Sequence, residues 1–286
     1  EKMRKIVFPT DFSENAFNAL EYAVELLKYE TCEFFLMHAY ADEVYNDETN
    51  LSRSLMDELK EKVRNHAEDK LEETLTKIRE IAPNPKHTYH KIASFGALVD
   101  EVNDLVDMEN ADLCIMGTRG KTNDRNLGFG TNTLLVMKYV QCPVLGIPAG
   151  YKYNTPEKIL LPTNFLVPYQ KRELKLVSEI ARVFGAEIYS LYISKYPVES
   201  FRQKDNQKFL KEQFQNIKFQ THQIDGLDKI TTIMDFIEKH KIDILVMVNS
   251  RHSELENILF EGTIDKISLN PKIPLMVLQN FNRESV

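Results

Sequence analysis

The chain repeats itself once, and no other feature narrows its fold as much, because a repeated segment must build the same unit twice. Lys5-Ile6-Val7-Phe8-Pro9-Thr10-Asp11-Phe12 returns as Lys158-Ile159-Leu160-Leu161-Pro162-Thr163-Asn164-Phe165. Asp112-Leu113-Cys114-Ile115-Met116 returns as Asp243-Ile244-Leu245-Val246-Met247, and Cys142-Pro143-Val144-Leu145 as Ile273-Pro274-Leu275-Met276. The copies are offset by 153 residues at the first match and by 131 at the other two, so the second copy has lost 22 residues in between. At roughly 150 residues per domain, the 286 residues divide into domains 1–150 and 151–286. The polar, turn-rich stretch from Ala149 to Pro156 joins them.

Each copy alternates short apolar runs with helical patterns, the mark of βαβ units around a parallel sheet covered on both faces. Strands are expected at 4–10, 33–39, 87–93, 112–117 and 143–148, then at 157–163, 186–193, 217–224, 243–248 and 273–278. Helices are expected over 14–29, 51–82, 96–109 and 130–140. Leu51, Leu55, Leu59, Val63, Ala67, Leu71 and Leu75 step by four, which predicts one apolar stripe along the second helix. The second copy's shortening falls in this helix, since 195–215 is shorter and less regular. Gly185 stands at a helix C-cap position.

Glycine is scarce: average usage gives about 20 in a chain this long, and there are 10. Four of them, Gly117, Gly120, Gly128 and Gly130, fall within fourteen residues. They follow a buried strand and precede a helix pattern that starts at Asn132, with Arg119, Lys121 and Arg125 in the same loop. Bare amides at a helix N-terminus suit an anion, and open α/β sheets hold ligands beyond the C-terminal strand ends. The same spacing also fits a glycine-rich connection that holds nothing. A P-loop is excluded, because Ile115 stands where that motif needs glycine five residues before Gly120-Lys121-Thr122. The three-glycine dinucleotide turn is absent too, since Pro9-Thr10-Asp11 occupies the first turn.

Other classes fall away on composition. With 36 basic against 43 acidic residues, the net charge of −7 argues against a general nucleic-acid or membrane-surface binder. No window reaches the ~18 consecutive apolar residues of a membrane span. Cys32, Cys114 and Cys142 are few, odd in number and widely spaced, which fits a reducing, cytoplasmic setting. That pattern excludes a disulfide scaffold and a structural zinc site.

Gly117-x2-Gly120-x9-Gly130-Thr131, with Pro9-Thr10-Asp11 ending the first strand, resembles the ATP-binding subclass of the universal stress protein family. The resemblance covers nearly the whole chain as two tandem copies. It implies an α/β fold of the Rossmann-like, adenine nucleotide α-hydrolase-like kind, each domain a five-stranded parallel sheet in order 3-2-1-4-5 flanked by helices. It implies a nucleotide-dependent regulatory role in stress survival. ATP or another adenine nucleotide would sit in the first domain, and Mg²⁺ would arrive with the phosphates. By this likeness Pro9, Thr10 and Asp11 meet the adenosine end, and Ala39 lines the adenine pocket. Met116 and Gly117 lie beside the ribose, Gly120 under the phosphates, and Arg119 is a cation of the same loop. Gly130, Thr131 and Asn132 offer amides and a hydroxyl to the phosphates. Family dimers pair their fifth strands. The likeness therefore implies an intramolecular pseudo-dimer through Val144–Pro148 and Leu275–Leu278, edges that would otherwise stand unpaired, and a homodimer of such chains.

The second copy departs from the pattern. Asn164 replaces the Asp, keeping the shape and losing the charge. The two leading glycines have become Asn249 and His252, or Val248 and Arg251 under a one-residue shift, while Gly262-Thr263 persists. This domain is expected to bind ATP weakly or not at all. Hydrolysis would need a positioned base and charge stabilisation at the γ-phosphate. Asp124 lies in the cationic loop, and His38 ends the second strand within reach of Asp11. His87 and His90 face opposite sides of their strand, and Cys114 is mid-strand. No catalytic set or metal-ligand set assembles from these spacings. A slow ATPase and a ligand-free interaction scaffold remain the alternatives to a nucleotide-binding regulator.

Overall fold

The computed structural model describes residues 3–46, 52–119, 129–226, 228–250, 255 and 269–280. They form two compact units, one ending at Tyr153 and the other beginning at Asn154. In the first unit β1 (Arg4–Pro9), β2 (Cys32–Ala39), β3 (His87–Ser94), β4 (Leu113–Gly117) and β5 (Val144–Ile147) alternate with helices. These are α1 (Glu14–Leu26), α2 (Ala41–Asn46), α3 (Arg53–Ile81), α4 (Leu98–Glu109) and α5 (Thr131–Tyr139). The strands are parallel and lie in the order β3-β2-β1-β4-β5.

The second unit repeats the arrangement with β6 (Lys158–Pro162), β7 (Glu187–Ile193), β8 (Phe219–Ile224), β9 (Ile244–Asn249) and β10 (Leu275–Gln279). Their order is β8-β7-β6-β9-β10, again all parallel. Its helices are α6 (Lys171–Phe184), α7 (Phe201–Gln213) and α8 (Lys229–His240). Ile6 pairs with Phe34 on one side and Leu113 on the other, and Ile159 pairs with Ile188 and Ile244 in the same way. The fold class expected from the repeat is therefore the one observed. Ile6, Phe8, Phe34 and Leu36 are fully buried in one unit and Leu160, Leu161, Ile188 and Phe165 in the other. Each such side chain contributes about 1.5–3 kcal/mol relative to exposure.

One local expectation is corrected, and two features lie beyond the sequence reading. First, α2 is a helical turn that the apolar pattern does not announce. Second, α3 is 29 residues long and buries only Ala67, Leu71, Leu75 and Ile78; Leu55, earlier in the stripe, is 51% exposed, and Leu51 lies outside the described residues. A strict step of four drifts about 40° per step around a helix of 3.6 residues per turn, so the stripe cannot stay on one packed face. Ile78, three residues past Leu75, brings it back. Third, α6 starts at Lys171, whereas α1 starts at Glu14, whose counterpart is Val167. Pro168 disfavours helical backbone at Val167, and the first helical turn is lost. The shortening of the second copy does sit where expected: α7 spans 13 residues against 29 in α3.

Candidate functional site

Both first strands end in the same turn. In the first unit the Thr10 hydroxyl accepts from the Phe12 amide at 3.1 Å, and Asp11 Oδ1 accepts from the Ser13 amide at 3.0 Å. Thr163 Oγ1 and Asn164 Oδ1 accept from the Phe165 and Leu166 amides, both at 2.9 Å. Phe12 and Phe165 adopt left-handed backbone, with φ of 63° and 57°. The turn needs only one side-chain oxygen at its second position, which an amide supplies as well as a carboxylate. Asp-to-Asn replacement thus leaves the backbone unchanged and alters only the charge.

Beyond this turn the first unit opens into a cavity of about 450 Å³ at the C-terminal ends of β1, β2 and β4. Pro9, Thr10 and Asp11 line it from β1, Ala39 from β2, Met116, Gly117 and Arg119 from the end of β4, and Gly130, Thr131 and Asn132 from the start of α5. Ten of the eleven residues singled out in the sequence therefore surround one space. The eleventh, Gly120, lies outside the described residues, as do Lys121, Asp124, Arg125 and Gly128.

The start of α5 is clamped to the end of β4. The Gly130 amide donates to the Thr118 carbonyl at 2.8 Å, the Thr118 amide to Ile147 at 2.9 Å, and the buried Thr133 hydroxyl to Gly117 at 3.1 Å. Gly130 caps α5 in extended conformation and, having no side chain, makes no cap bond of its own. By contrast, Ser13 accepts from the Ala16 amide at the start of α1. Among the described residues, then, the cap of α5 offers no side-chain acceptor to the first-turn N–H groups, which point from the positive end of the helix dipole. Gly117 is needed for space: a Cβ there would lie 3.1 Å from the Asn15 carbonyl oxygen of α1.

The sequence did not single out the wall formed by α2 and the start of α4. Asp42, Glu43 and Asn46 from α2, with Gly96 and Leu98, complete the lining. The acidic pair three residues after Ala39 was the available signal. His38 also lines the cavity and is nearly buried. Its Nδ1 lies 2.7 Å from the Thr10 carbonyl and its Nε2 lies 2.6 Å from Glu43 Oε1. His87 and His90 do face opposite ways: His87 is buried against the Leu27 carbonyl at 3.1 Å, and His90 is exposed. Burial lifts the Cys114 thiol well above its usual range and the Cys32 thiol to about 12.

Around the corresponding turn of the second unit, the described residues enclose only a small pocket. Pro162, Thr163, Asn164, Met247 and Val248 enclose about 20 Å³ together with Val167, Tyr169 and Leu255. Tyr169 is buried, bonds the Thr163 hydroxyl, and its phenol is pushed well above its ordinary range by burial. The strand register decides an alignment the sequence left open. Cys114 pairs with Val7 and Leu245 with Leu160, so Val248, not Asn249, takes the place of Gly117. Its partner loop glycine then corresponds to Arg251, which lies outside the described residues along with His252, Gly262 and Thr263. The Asn249 side chain is turned to Gln279 Oε1, to which it donates at 2.9 Å.

The sequence matches the model of the universal stress protein family over residues 2–148. The chain belongs to this family. A universal stress protein of Methanocaldococcus jannaschii, MJ0577, is 28% identical over 154 residues, half of this chain and 93% of its own length. A second from the same organism, MJ0531, is 27% identical over 143 residues, half of this chain and 80% of its own. The crystal structure of a universal stress protein from Archaeoglobus fulgidus aligns over 97% of this chain and 98% of its own, with a TM-score of 0.67 at 17% identity. That likeness shows that the fold extends along the whole chain. Among the described residues, no helix is long and apolar enough to cross a membrane, and no three His, Cys, Asp or Glu gather as a metal site.

Proposed function

We propose that the first unit binds an adenine nucleotide, ATP foremost, and that its occupancy is a regulatory signal in stress survival. The observation that carries this reading is the convergence of five separate chain segments on one 450 Å³ cavity, a volume typical of small-molecule sites. The lining also suits the ligand chemically. Arg119 and the uncapped start of α5 fit an anion, Gly117 lets backbone come close, and Asp11 and Ala39 offer a polar and an apolar contact to a nucleoside. Mg²⁺ would enter coordinated by the phosphates and neutralise part of their charge, since the lining supplies no cage of carboxylates. By the same reasoning the second unit binds ATP weakly or not at all.

Binding, and not turnover, is the reading these residues support; Asp124, the one carboxylate considered for hydrolysis, is outside the described set. A cytoplasmic setting and a homodimer of chains complete the proposal, the first in keeping with three buried thiols that form no disulfide.

The test is to denature the purified full chain and identify any released nucleotide by chromatography and mass. One adenine nucleotide per chain supports the reading. If none is released, Mg-ATP is added at about 100 times its dissociation constant, where a true site stabilises by about 2.7 kcal/mol. An empty protein with no thermal shift rejects the proposal.

A further inference from the structure

A second cavity of the first unit, of about 210 Å³, lies between α1, α3 and the end of β1. Phe8 of β1 and Leu20 of α1 make its floor, and neither is more than 1% exposed. The rings of Phe12 and Phe17 make its sides and are only half-buried. Phe165, which holds the place of Phe12 in the second unit, is 1% exposed, so the uncovered ring is particular to the first. Phe12 also packs against His38, with centroids 4.5 Å apart. It thus stands between this cavity and the larger one, which His38 lines. An apolar space of about 150 Å³ holds a benzene ring, so this one has room for a side chain of that size.

What the mouth would recognise follows from which of its polar groups are already engaged. All three hydroxyls are: Thr10 accepts from the Phe12 amide, Ser13 accepts from the Ala16 amide, and Thr74 donates to the Lys70 carbonyl. Lys70 and Glu73 pair with each other at 2.7 Å. Two charges are left, one from each helix. They are Lys77 on α3 and Glu14 on α1, neither with an ion-pair partner among the described residues. Lys77 does not extend freely into water, because its Nζ lies 3.9 Å from the centre of the Phe17 ring. That cation–π contact keeps the amine over one side of the cavity. An apolar chamber with one cation and one carboxylate at its mouth is complementary to a zwitterion that carries an apolar side chain. We infer that this cavity binds a free α-amino acid with an aromatic or branched aliphatic side chain. The side chain lies against Phe8, Phe12, Phe17 and Leu20, the carboxylate meets Lys77, and the ammonium meets Glu14. The inference does not depend on what the larger cavity holds.

Calorimetric titration of the full chain with L-phenylalanine, phenylpropionate and phenethylamine tests it, since the three share one body and differ in the charges they carry. Phenylalanine should bind at one site per chain. Each of the others should bind about threefold more weakly, the effect of losing one solvent-exposed ion pair. Equal binding of all three, or binding of none, overturns the inference. Two variants locate the site. Thr74→Leu places a larger apolar side chain in the chamber from a half-buried helical position that leucine favours, and it should remove phenylalanine binding. Thr74 does not line the larger cavity, so retained affinity in this variant means that phenylalanine binds elsewhere and overturns the assignment. Lys77→Met keeps an apolar stem over Phe17 and removes the charge. It should weaken phenylalanine and phenylpropionate about threefold and leave phenethylamine unchanged. Equal losses for all three would show that Lys77 only packs, and would overturn the amino-acid reading of the mouth.

Discussion

The two units share a turn, a strand order and a register, yet one encloses about 450 Å³ at the end of its sheet and the other about 20 Å³. The lost acidic residue does not account for this, because Asn164 builds the same turn as Asp11. The difference comes from what stands opposite the turn. In the first unit α1 begins early, brings the small Ala16 to the cavity and sets the Asn15 carbonyl against Gly117. In the second unit Pro168 stands in the place of Asn15 and the helix starts late. The unwound segment turns Val167 and Tyr169 inward, and Val248 occupies the place of the glycine. A site on this scaffold can therefore be narrowed by side chains delivered from a neighbouring helix start.

The sharpest way to break this comparison is to reopen the second unit. Tyr169→Ala removes a buried aromatic and leaves the Thr163 hydroxyl with only its bond from the Phe165 amide. Core aromatic truncations cost about 3–5 kcal/mol, and chemical denaturation of the full chain should show that loss in its second unit. ATP binding to that unit should not appear, because Val248 still blocks close approach to the strand end. If Tyr169→Ala alone creates a nucleotide site, the tyrosine was the whole seal and the role given to Val248 is wrong.

The converse change carries the second unit's residue into the first. In Gly117→Val the Cβ meets the Asn15 carbonyl oxygen at 3.1 Å, and the branched methyl groups extend into the cavity. ATP affinity should fall about a hundredfold, equivalent to about 2.7 kcal/mol, as read by calorimetric titration. An unchanged affinity would show that ligand and strand end do not approach closely.

These changes also show where the sequence was informative. The repeat, the strands and the glycine loop were legible because each rests on a local rule: apolar runs for strands, glycine for close approach, Thr-Asp for the turn; the strand order and places such as Ala39 and Met116 came only with the family resemblance. The wall on α2 was not, because a helix of 6 residues has too few turns to show a period. The closing of the second cavity was hidden for a different reason. It depends on Pro168 delaying a helix by four residues, and no spacing rule says where the displaced Val167 and Tyr169 then point. The choice between Val248 and Asn249 likewise needed strand pairing, since both alignments preserve the order of the motif.

The smallest expected effect separates the units by their response to acid. Burial holds the His87 imidazole below its usual value of 6.5, opposed by the Leu27 carbonyl bond and the Glu25 charge. His240 at the end of α8 is also lowered, by desolvation first and then by the charges of His222, Lys239 and Lys158. A depressed histidine is stabilising while neutral: below 6.5 the unfolded chain takes up the proton first, so stability is lost as pH falls through that value. Each unit should therefore weaken with acid, the first through a buried ring and the second through a ring that is desolvated first and then opposed by neighbouring cations. Salt screens charges but does not restore hydration to a buried ring. Raising ionic strength at about pH 6 should then recover part of the second unit's loss and little of the first's. His87→Gln, which can still donate to Leu27, should flatten the pH dependence of the first unit's unfolding midpoint and leave the second unit's slope alone. If the slope of the first unit persists in His87→Gln, its acid sensitivity arises elsewhere in that unit.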